Sequence, residues 1–456
     1  MKTKQSERNA ITTWAPCRAG PILTALSLAA QPRAEAQVFQ ELYSFATDTN
    51  GNSPAGALVQ GIDGNFYGTT SAGGQPTTND PAGGYGTVFK ITLEGALTTI
   101  AWFDGNSGIA NGQGPTNYGA SPFGAMVQAT DGNFYGMATG LFRVTPSGLL
   151  TGVDGGDVGD PIQGSDGCLY VADSYYESVY RFSLGGGPAN YEWAIPGHPS
   201  GGLIQARDGN YYGLTSDGGT AYGTLYKLTP GGALTTVADF QQGPGAAVFP
   251  YGPLMQASDG NLYGVANGGI SSCGTIFKAT SDGALVRLAS FSATNGESPN
   301  GPLLEANDGN FYGTTMEGGT TCCPGSIGTI FRMTPDGVIT TLFSFTDQRG
   351  PYPGANPSEG LIQGSDGNLY GTCSSGGSRG GGNIFRILMP GPLLSAAQAG
   401  GQLLLSWRTN YVGYALQSSL DLANWSSCTN PPAIAGGLFV VTNPVSAGAG
   451  FFRLMK

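Results

Sequence analysis

Seven aspartates recur at one position of a short motif, and they are the first residues of the chain that could do chemistry together. The first copy reads Asp63-Gly64-Asn65-Phe66-Tyr67-Gly68. The motif aspartates are Asp63, Asp131, Asp166, Asp208, Asp259, Asp308 and Asp366. Such a set could ring a central pore, but Asp-Gly-Asn is also a strong turn signal, because aspartate accepts a hydrogen bond from the backbone two residues on. We therefore interpret all of them as structural turn residues.

Other candidates for catalysis are few. The chain has one histidine, His198, within the loop sequence Pro196-Gly197-His198-Pro199. Serine–histidine–aspartate sites and histidine–metal sites need more partners than one loop histidine. The stretch Asp48-Thr49-Asn50-Gly51-Asn52 alternates aspartate and asparagine as a calcium loop does, but it lacks the terminal glutamate of an EF-hand. We therefore predict no catalytic residue, no cofactor and no metal site.

Cysteines form the second reactive set. Beyond the leader described below they are Cys168, Cys273, Cys322, Cys323, Cys373 and Cys428. Four of them, Cys273 to Cys373 in this order, fall in or beside loops that approach one face. An exported chain tends to oxidise such thiols, which predicts a bridge from Cys273 to Cys322 or Cys323, with the remaining one pairing with Cys373. Free thiols in glycine-rich loops are the alternative, and Cys168, in the asparagine position of its motif, is expected to be buried and inert.

The aspartate motif must be positioned by a repeated unit of four short strands. A short apolar run, strand a, precedes the motif, as in Gly252-Pro253-Leu254-Met255-Gln256. Strand b opens with the aromatic pair, as in Phe66-Tyr67-Gly68-Thr69-Thr70. Strand c follows a glycine-rich gap, as in Gly328-Thr329-Ile330-Phe331-Arg332, and strand d follows a turn, as in Val338-Ile339-Thr340-Thr341-Leu342. Repeated short strands between turn signals predict an all-β fold, a seven-bladed β-propeller over residues 37–390.

The last repeat has no strand d of its own, because the chain runs from Ile384-Phe385-Arg386 into Met389-Pro390-Gly391. The missing strand is at the other end of the unit. Residues 38–45 (VFQELYSF) resemble the end of other d strands, such as residues 340–345 (TTLFSF). We therefore predict that the N-terminal strand closes blade seven, which leaves no open sheet edge within the ring.

The repeat resembles a known family. The unit reads DGNFYGTT at residues 63–70 and GTVFKIT at residues 86–92, and it is similar to the choice-of-anchor "GloVer" tandem repeat of bacterial surface and secreted proteins. The likeness covers residues 38–388. The second repeat has almost no b–c connection, and the third, with Asp166-Gly167-Cys168-Leu169-Tyr170, departs most from the pattern. The resemblance implies export and a propeller-like repeat, and it implies no established chemistry.

Residues 1–36 form the pattern of a cleavable signal peptide. A basic start is followed by the short apolar core of residues 22–30 and by Ala34-Glu35-Ala36 as the cleavage site. The basic residues are Lys2, Lys4 and Arg8. A cytosolic tail is the alternative. No other stretch is long and apolar enough to span a membrane, so we expect a secreted or cell-surface protein.

Residues 391–456 differ from the repeats. Short alternating strands surround a tryptophan of the buried type in Leu403-Leu404-Leu405-Ser406-Trp407. This pattern predicts a small β-sandwich. The segment resembles the immunoglobulin- or fibronectin-like modules that end many secreted proteins.

The alternation of strands places the b–c and d–a connections on one face, called here the long-loop face. Long, variable connections gathered on one face are typical of a binding surface in repeat proteins. The aromatic candidates on it are Tyr85, Tyr118, Tyr222, Phe249, Tyr251 and Tyr352. Such rings suit sugars or protein partners, and the alternative is that they pack their own glycine-rich loops.

A net charge of −11 without a basic stripe argues against nucleic acid and anionic membranes as partners. We expect a monomeric, exported binding protein, not an enzyme, that recognises carbohydrate or a cell-surface protein through the long-loop face. The first alternative is a polysaccharide lyase or hydrolase, which needs two converging acids. The loop acids are Asp80, Asp104, Asp347 and Glu359, and the sequence gives no reason to pair any two. The second alternative is a structural envelope protein.

Overall fold

The computed structural model describes most of the chain from residue 37 onward. The described residues contain strands and no helix, which confirms the predicted all-β class. They are residues 12–13, 37–46, 50–75, 84–105, 120–155, 159–184, 191–219, 222–243, 245–319, 327–392, 394–399, 402–408, 414–420, 424–428, 430–436, 438–444 and 451–455.

The chain divides into two compact units. The repeat unit comprises residues 38–306 and 310–388, and the second unit comprises residues 1–37, 307–309 and 389–456. Among the described residues, no helix is long and apolar enough to cross a membrane.

The repeat unit holds seven antiparallel sheets in its described residues. Each sheet takes its strands in the order a, b, c, d, and the a–b turn carries the aspartate motif. Sheet 1 has Asn52–Pro54 and Val59–Gln60 as strand a, then Phe66–Ala72, Thr87–Ile91 and Leu97–Trp102. Sheet 2 has Phe123–Gln128, Phe134–Met137, Gly140–Val144 and Leu150–Gly155; sheet 3 has Ile162–Gln163, Leu169–Asp173, Ser178–Phe182 and Tyr191–Ala194. Sheet 4 has Ile204–Gln205, Tyr211–Thr215, Thr224–Leu228 and Leu234–Asp239; sheet 5 has Ala247–Gln256, Leu262–Gly268, Thr275–Ala279 and Leu285–Ser290; sheet 6 has Glu297–Glu305, Phe311–Glu317, Thr329–Met333 and Ile339–Ser344.

Sheet 7 combines strands from both ends of the repeat unit. Its strands a, b and c are Ala355–Pro357 with Ile362–Gln363, Leu369–Ser375 and Asn383–Leu388. The fourth strand is the N-terminal Val38–Ser44, which pairs antiparallel with strand c from Val38 opposite Leu388 to Ser44 opposite Asn383. The strand that begins the repeat unit therefore occupies position d of its last sheet.

The core lies between neighbouring sheets and is built from the motif aromatics. The second aromatic of one motif packs against the first aromatic of the next sheet. Tyr67 lies 4.1 Å from Phe134 between ring centroids, and Tyr370 of sheet 7 lies 4.2 Å from Phe66 of sheet 1. The glycine after the pair is required by close approach, since a β-carbon at Gly68 would lie 2.5 Å from the ring of Phe89. The motif therefore encodes both a turn and the packing of one sheet on the next.

Glutamines at the end of strand a tie five of the sheets to the turn of the preceding one. The Ile62 amide donates to Oε1 of Gln128 over 2.8 Å. The Ser365 amide donates to Oε1 of Gln60 over 2.8 Å, which links sheet 7 to sheet 1. The same contact recurs for Thr130 with Gln163, Ser165 with Gln205 and Arg207 with Gln256. Each contact satisfies a turn amide that the turn itself leaves free.

The second unit contains two four-stranded antiparallel sheets in its described residues. Their orders are Ser395–Ala399, Gln402–Arg408, Leu438–Pro444, Ala433–Ala435 and Thr12–Thr13, Phe451–Met455, Ala415–Ser419, Ser426–Ser427. Both sheets contribute to one buried cluster, which includes Trp407, Val441 and Leu454. Thr12–Thr13 falls within the predicted leader, whose other residues lie outside the described part of the chain. The leader and the immunoglobulin-like class stay predictions.

Candidate functional site

The motif aspartates are held within their own turns. Oδ1 of Asp63 accepts the Asn65 amide over 3.1 Å, and Oδ2 accepts the Asn65 side chain over 2.8 Å and the Tyr67 hydroxyl over 3.0 Å. Nζ of Lys90 adds an ion pair at 2.7 Å. The three local contacts recur at Asp131, Asp208, Asp259 and Asp366. These contacts support the structural interpretation that the sequence favoured.

Two further motif aspartates complete the set. Asp166 accepts the Cys168 amide over 3.1 Å and the Tyr170 hydroxyl over 3.0 Å, and it pairs with Arg181 at 2.7 Å. Asp308 lies at the same position, in the turn between strands a and b of sheet 6.

Burial alone would raise the pKa of Asp63, but hydrogen bonds from Lys90 and Asn65 outweigh burial and hold its pKa well below the ordinary value.

The opposite end of strand a presents a different environment. We call the residues four and three positions before the last residue of strand a the inner positions. From sheet 1 to sheet 7, the first residue of each pair is Gly56, Gly124, Gly159, Gly201, Gly252, Gly301 and Glu359. The second residue is, in the same order, Ala57, Ala125, Asp160, Gly202, Pro253, Pro302 and Gly360. All are glycine, alanine or proline except Asp160 and Glu359. Two acids therefore stand alone among residues that carry no charge.

Close approach explains the small residues at the inner positions. A β-carbon at Gly56 would lie 2.0 Å from the carbonyl oxygen of Gly124, and one at Gly201 would lie 2.3 Å from the carbonyl carbon of Gly252. Backbones of neighbouring sheets thus touch at these two glycines, which leaves no room for a side chain at either. Since strand a starts at the long-loop face, the two acids belong to that face.

The two carboxylates reach toward the same pair of sheets. Oδ1 of Asp160, from sheet 3, accepts the Ala125 amide of sheet 2 over 2.8 Å. Glu359, from sheet 7, accepts a hydrogen bond from the Ala57 amide of sheet 1. Because Gly56 and Gly124 are in contact, the acids converge from the two sides of that contact. Oε2 of Glu359 is buried and has no hydrogen-bond partner in the described residues.

The pKa values of these two acids are raised, whereas that of the turn aspartate Asp63 is lowered. Burial raises the pKa of Asp160 to about 6, although the Ala125 amide partly offsets the effect. Burial and then the charge of Asp160 raise the pKa of Glu359 well above its ordinary value. Two carboxylates in a shared, poorly solvated setting resist carrying two negative charges at once. The sequence prediction named Glu359 as a loop acid but found no partner for it, and the structure supplies Asp160.

The single histidine also acquires partners on the long-loop face. Nδ1 of His198, in the d–a loop before sheet 4, lies 2.8 Å from Oδ2 of Asp217, and Nε2 lies 3.3 Å from Oε1 of Glu177. The His198 amide donates to Oδ1 of Asp217 over 2.7 Å. The hydrogen bond with Asp217, its charge and that of Glu177 raise the pKa of His198. All three side chains are about half exposed, so this cluster meets solvent directly.

Among the described residues of the long-loop face, two tyrosines beside this cluster are the most exposed aromatic pair. Tyr175 and Tyr176, in the b–c turn of sheet 3, are 75% and 60% exposed. The buried Asp173 fixes the turn, because its Oδ1 accepts the Tyr175 amide over 2.7 Å and the Tyr176 amide over 2.9 Å. The sequence prediction missed this pair. The signal for it was two adjacent tyrosines in a polar turn without glycine, in the repeat that departs most from the pattern.

Most of the predicted aromatic residues pack against other parts of the repeat unit. Tyr352 packs against Phe39 and Phe343, with ring centroids 5.7 and 5.0 Å away. Tyr222 packs on Phe249 at 5.6 Å. Tyr85 and Tyr251 pack against buried clusters of the repeat unit, and Phe249 is 41% exposed. Tyr118 lies outside the described residues. A binding role for these residues stays a prediction.

The cysteines form no disulfide within the described residues. Sγ of Cys273 lies 3.2 Å from Oε1 of Glu297 and 3.3 Å from the carbonyl oxygen of Ser271. Cys373 is fully buried in sheet 7. Cys322 and Cys323 lie outside the described residues, so their predicted bridges stay predictions.

The remaining acids form no larger cluster. No group of three or more histidine, cysteine, aspartate or glutamate side chains that could hold a metal ion occurs in the described part of the chain. Asp48 and Asp80 lie outside that part. Asp347 contacts Gly354 through its backbone, and Asp104 lies just beyond strand d of sheet 1.

Comparison with solved structures shows the type of fold. A streptogramin B lyase is 14% identical, with a TM-score of 0.54, and the match covers 78% of this chain and 98% of that one. The virginiamycin B lyase from Staphylococcus aureus is 14% identical, with a TM-score of 0.54, and the match covers 78% of this chain and 100% of that one. Its catalytically inactive variant with quinupristin is 15% identical, with a TM-score of 0.52 and the same coverage of both chains. At this identity the likeness shows a shared β-propeller-like fold and no activity.

Comparison with sequences identifies the family. No curated protein matches the chain. The Gloeobacter/Verrucomicrobia repeat matches residues 157–385, which span half of the chain and include sheets 3 to 6 entirely. This match confirms the resemblance seen in the repeat motif, and the chain belongs to the Gloeobacter/Verrucomicrobia repeat family.

Proposed function

We propose that the protein is an exported, non-catalytic binding protein that recognises carbohydrate through its long-loop face. The observation that carries the proposal is the exposed pair Tyr175 and Tyr176, in a turn whose backbone is fixed by the buried Asp173. Sugar rings present apolar C–H faces that stack on exposed aromatic rings, while their hydroxyls bond to polar neighbours. Glu177, His198 and Asp217 supply such neighbours beside the tyrosines.

The scaffold of the proposal is a closed, seven-bladed β-propeller in which the sheets are the blades. Support comes from the contacts between the first and last sheets. Gln60 and Ser365 exchange hydrogen bonds of 2.8 and 3.0 Å, and the rings of Phe66 and Tyr370 lie 4.2 Å apart. The pairing of Val38–Ser44 with sheet 7 fills all four strand positions, a to d, as in the other sheets. A closed ring holds its loops in fixed positions, which suits recognition.

Binding is tested by retention on insoluble cellulose, chitin and xylan, with released reducing sugar assayed in the same tubes. The wild-type protein is expected to be retained on at least one of them without releasing sugar. The double variant Tyr175→Ala, Tyr176→Ala should bind at least about tenfold more weakly than the wild type, because it removes both stacking surfaces.

The matched control is Ile62→Ala, which removes an exposed apolar side chain from an a–b turn on the other face. This variant should be retained as the wild type is. No retention on any of the polysaccharides would overturn the carbohydrate proposal. Binding that survives loss of both tyrosines would also overturn it and would move the site elsewhere on the face.

The second candidate is a polysaccharide-active enzyme, and the contact of His198 with Asp217 favours it. A histidine hydrogen-bonded to a carboxylate is a common arrangement of a general base. Released sugar in the retention assay that disappears in His198→Ala would establish this candidate in place of the first.

Export is supported by the leader pattern of residues 1–36. We expect cleavage after Ala36 when the full chain is expressed in a bacterium. N-terminal sequencing of protein recovered outside the cytoplasm should begin at Gln37, whereas recovery of the uncut chain from the cytoplasm alone would contradict export.

A further inference from the structure

We propose that Asp160 and Glu359 bind a hard divalent cation, for which Ca²⁺ is the best fit, at the inner positions of the long-loop face. The site is separate from the proposed carbohydrate surface and does not depend on it. It joins Asp160 of sheet 3, which is hydrogen-bonded to sheet 2, with Glu359 of sheet 7, which is hydrogen-bonded to sheet 1, and sheets 1 and 2 touch at Gly56 and Gly124.

The first observation is an unsatisfied acceptor. Oε2 of Glu359 is buried and has no partner among the described residues. Buried polar atoms are nearly always paired, and a buried carboxylate oxygen left alone carries a large desolvation cost. A bound cation would satisfy this oxygen directly.

The second observation is the lack of any counter-charge at the inner positions. The other residues there are glycine, alanine and proline, so no lysine, arginine or histidine at these positions can neutralise the two acids. The repeat supplies glycine at the place of Glu359 in each of the other sheets and an uncharged small residue at the place of Asp160. The acids are therefore two departures from the repeat that are close enough for the charge of Asp160 to act on Glu359.

The chemistry of the surroundings selects the kind of ion. Close packing of the backbones brings carbonyl groups next to the inner positions, since a β-carbon at Gly360 would lie 2.8 Å from the carbonyl oxygen of Pro302. No sulfur or imidazole occurs at the inner positions. Carboxylate and carbonyl oxygens are ligands of hard cations, and Ca²⁺ accepts irregular oxygen cages completed by water more readily than Mg²⁺ does.

The test is calorimetric titration of the chelator-stripped full chain with CaCl2, and with MgCl2 in parallel. One Ca²⁺ per chain is expected to bind, more tightly than Mg²⁺, and to raise the melting temperature by a few degrees. Asp160→Asn and Glu359→Gln keep the shape of each side chain while removing its charge. Each should weaken Ca²⁺ binding about tenfold or more and abolish the rise in melting temperature.

Glu94→Gln is the matched control, because Glu94 is an exposed acid in a c–d turn on the opposite face. It should bind Ca²⁺ as the wild type does. No heat of binding and no stabilisation of the wild-type chain would overturn the proposal, and this result does not depend on how the variants fold. Ca²⁺ binding that both Asp160→Asn and Glu359→Gln leave unchanged would overturn it as well.

Discussion

The a–b turns and the inner positions of the long-loop face hold the same type of side chain in opposite environments. Asp63 and Asp259 each receive hydrogen bonds from an asparagine, a tyrosine and a lysine. Asp160 and Glu359 each receive an amide hydrogen bond and meet each other's charge. The pKa of the turn carboxylates falls and that of the inner carboxylates rises.

The difference shows that donors around a carboxylate, rather than its place in a repeat, decide whether it stabilises the fold. The turn aspartates are partly exposed and well supplied with donors, whose hydrogen bonds together outweigh the effect of burial. The inner acids have few donors, and burial dominates. A protein can therefore use carboxylates as structural support in one region and hold them as buried acids with raised pKa values in another.

The largest expected effect is the loss of a turn carboxylate. Asp259→Ala removes the acceptor for the Asn261 amide, the Tyr263 hydroxyl and Lys278 at once. We expect the free energy of unfolding to fall by about 2–4 kcal/mol, because a partly buried hydroxyl and a turn amide lose their partner. Urea unfolding followed by tryptophan fluorescence measures this. Asp282→Ala, in an exposed c–d turn, is the control and should cost much less.

At the inner positions, loss of a carboxylate is expected to increase the free energy of unfolding instead of lowering it. Asp160→Asn in chelator at pH 7 should raise the free energy of unfolding by about 1–3 kcal/mol, since it removes a charge whose burial raises the pKa of Asp160 to about 6. The asparagine oxygen can still accept the Ala125 amide. The same urea titration tests this prediction, and destabilisation by this variant would remove the contrast between the two regions.

The pH dependence of stability should separate the two regions. The turn aspartates have lowered pKa values, so their stabilisation is present above the unfolded pKa of about 4 and is lost as pH falls below it. The inner acids have raised pKa values, so they bind protons first in the folded state, and stability rises as pH falls from about 7 towards 4. Together these effects predict a maximum of stability near pH 4–6.

Two variants test which acids cause the rise in stability between pH 7 and pH 5 and which cause its loss below pH 4. Asp160→Asn should flatten the rise between pH 7 and pH 5, and Asp259→Asn should weaken the loss below pH 4. Melting temperatures from pH 2.5 to pH 8 measure both. If either variant alters the limb assigned to the other region, the contrast between the regions is wrong.

The smallest effect concerns a carboxylate that faces solvent. Asp217 raises the pKa of His198, and His198 is the one histidine of the chain, so a single imidazole signal reports its titration by NMR. We expect a pKa above the ordinary value of about 6.5 in the wild type and a fall towards that value in Asp217→Asn. Any stabilisation from this pair is present below that value and fades as pH rises through the pKa of His198. Stability should change little, because water screens exposed pairs.

Contacts within a few residues could be predicted from the sequence. The turn role of Asp63 follows from Asn65 and Tyr67, which lie two and four residues further on. The all-β class and the family resemblance followed from the same repeated motif, and both are confirmed. A turn whose hydrogen bonds join residues a few positions apart can therefore be recognised from the sequence alone.

The same reasoning could not find the residues of the candidate sites. Nothing near His198 in the sequence indicates Glu177 or Asp217 as partners, because the contact needs sheets 3 and 4 side by side. The predicted aromatic Tyr352 resembles an exposed loop residue, yet it packs against Phe39 from the other end of the repeat unit.

The sequence by itself determined the repeated strands, the turns between them and the place of each aspartate motif, since these depend on hydrogen bonds and packing between residues a few positions apart. Only the tertiary structure decided which acids meet. Asp160 and Glu359 come together because the backbones of neighbouring sheets touch at the inner positions. Burial and the field of another charge are set by residues distant in the chain, and no local pattern records them.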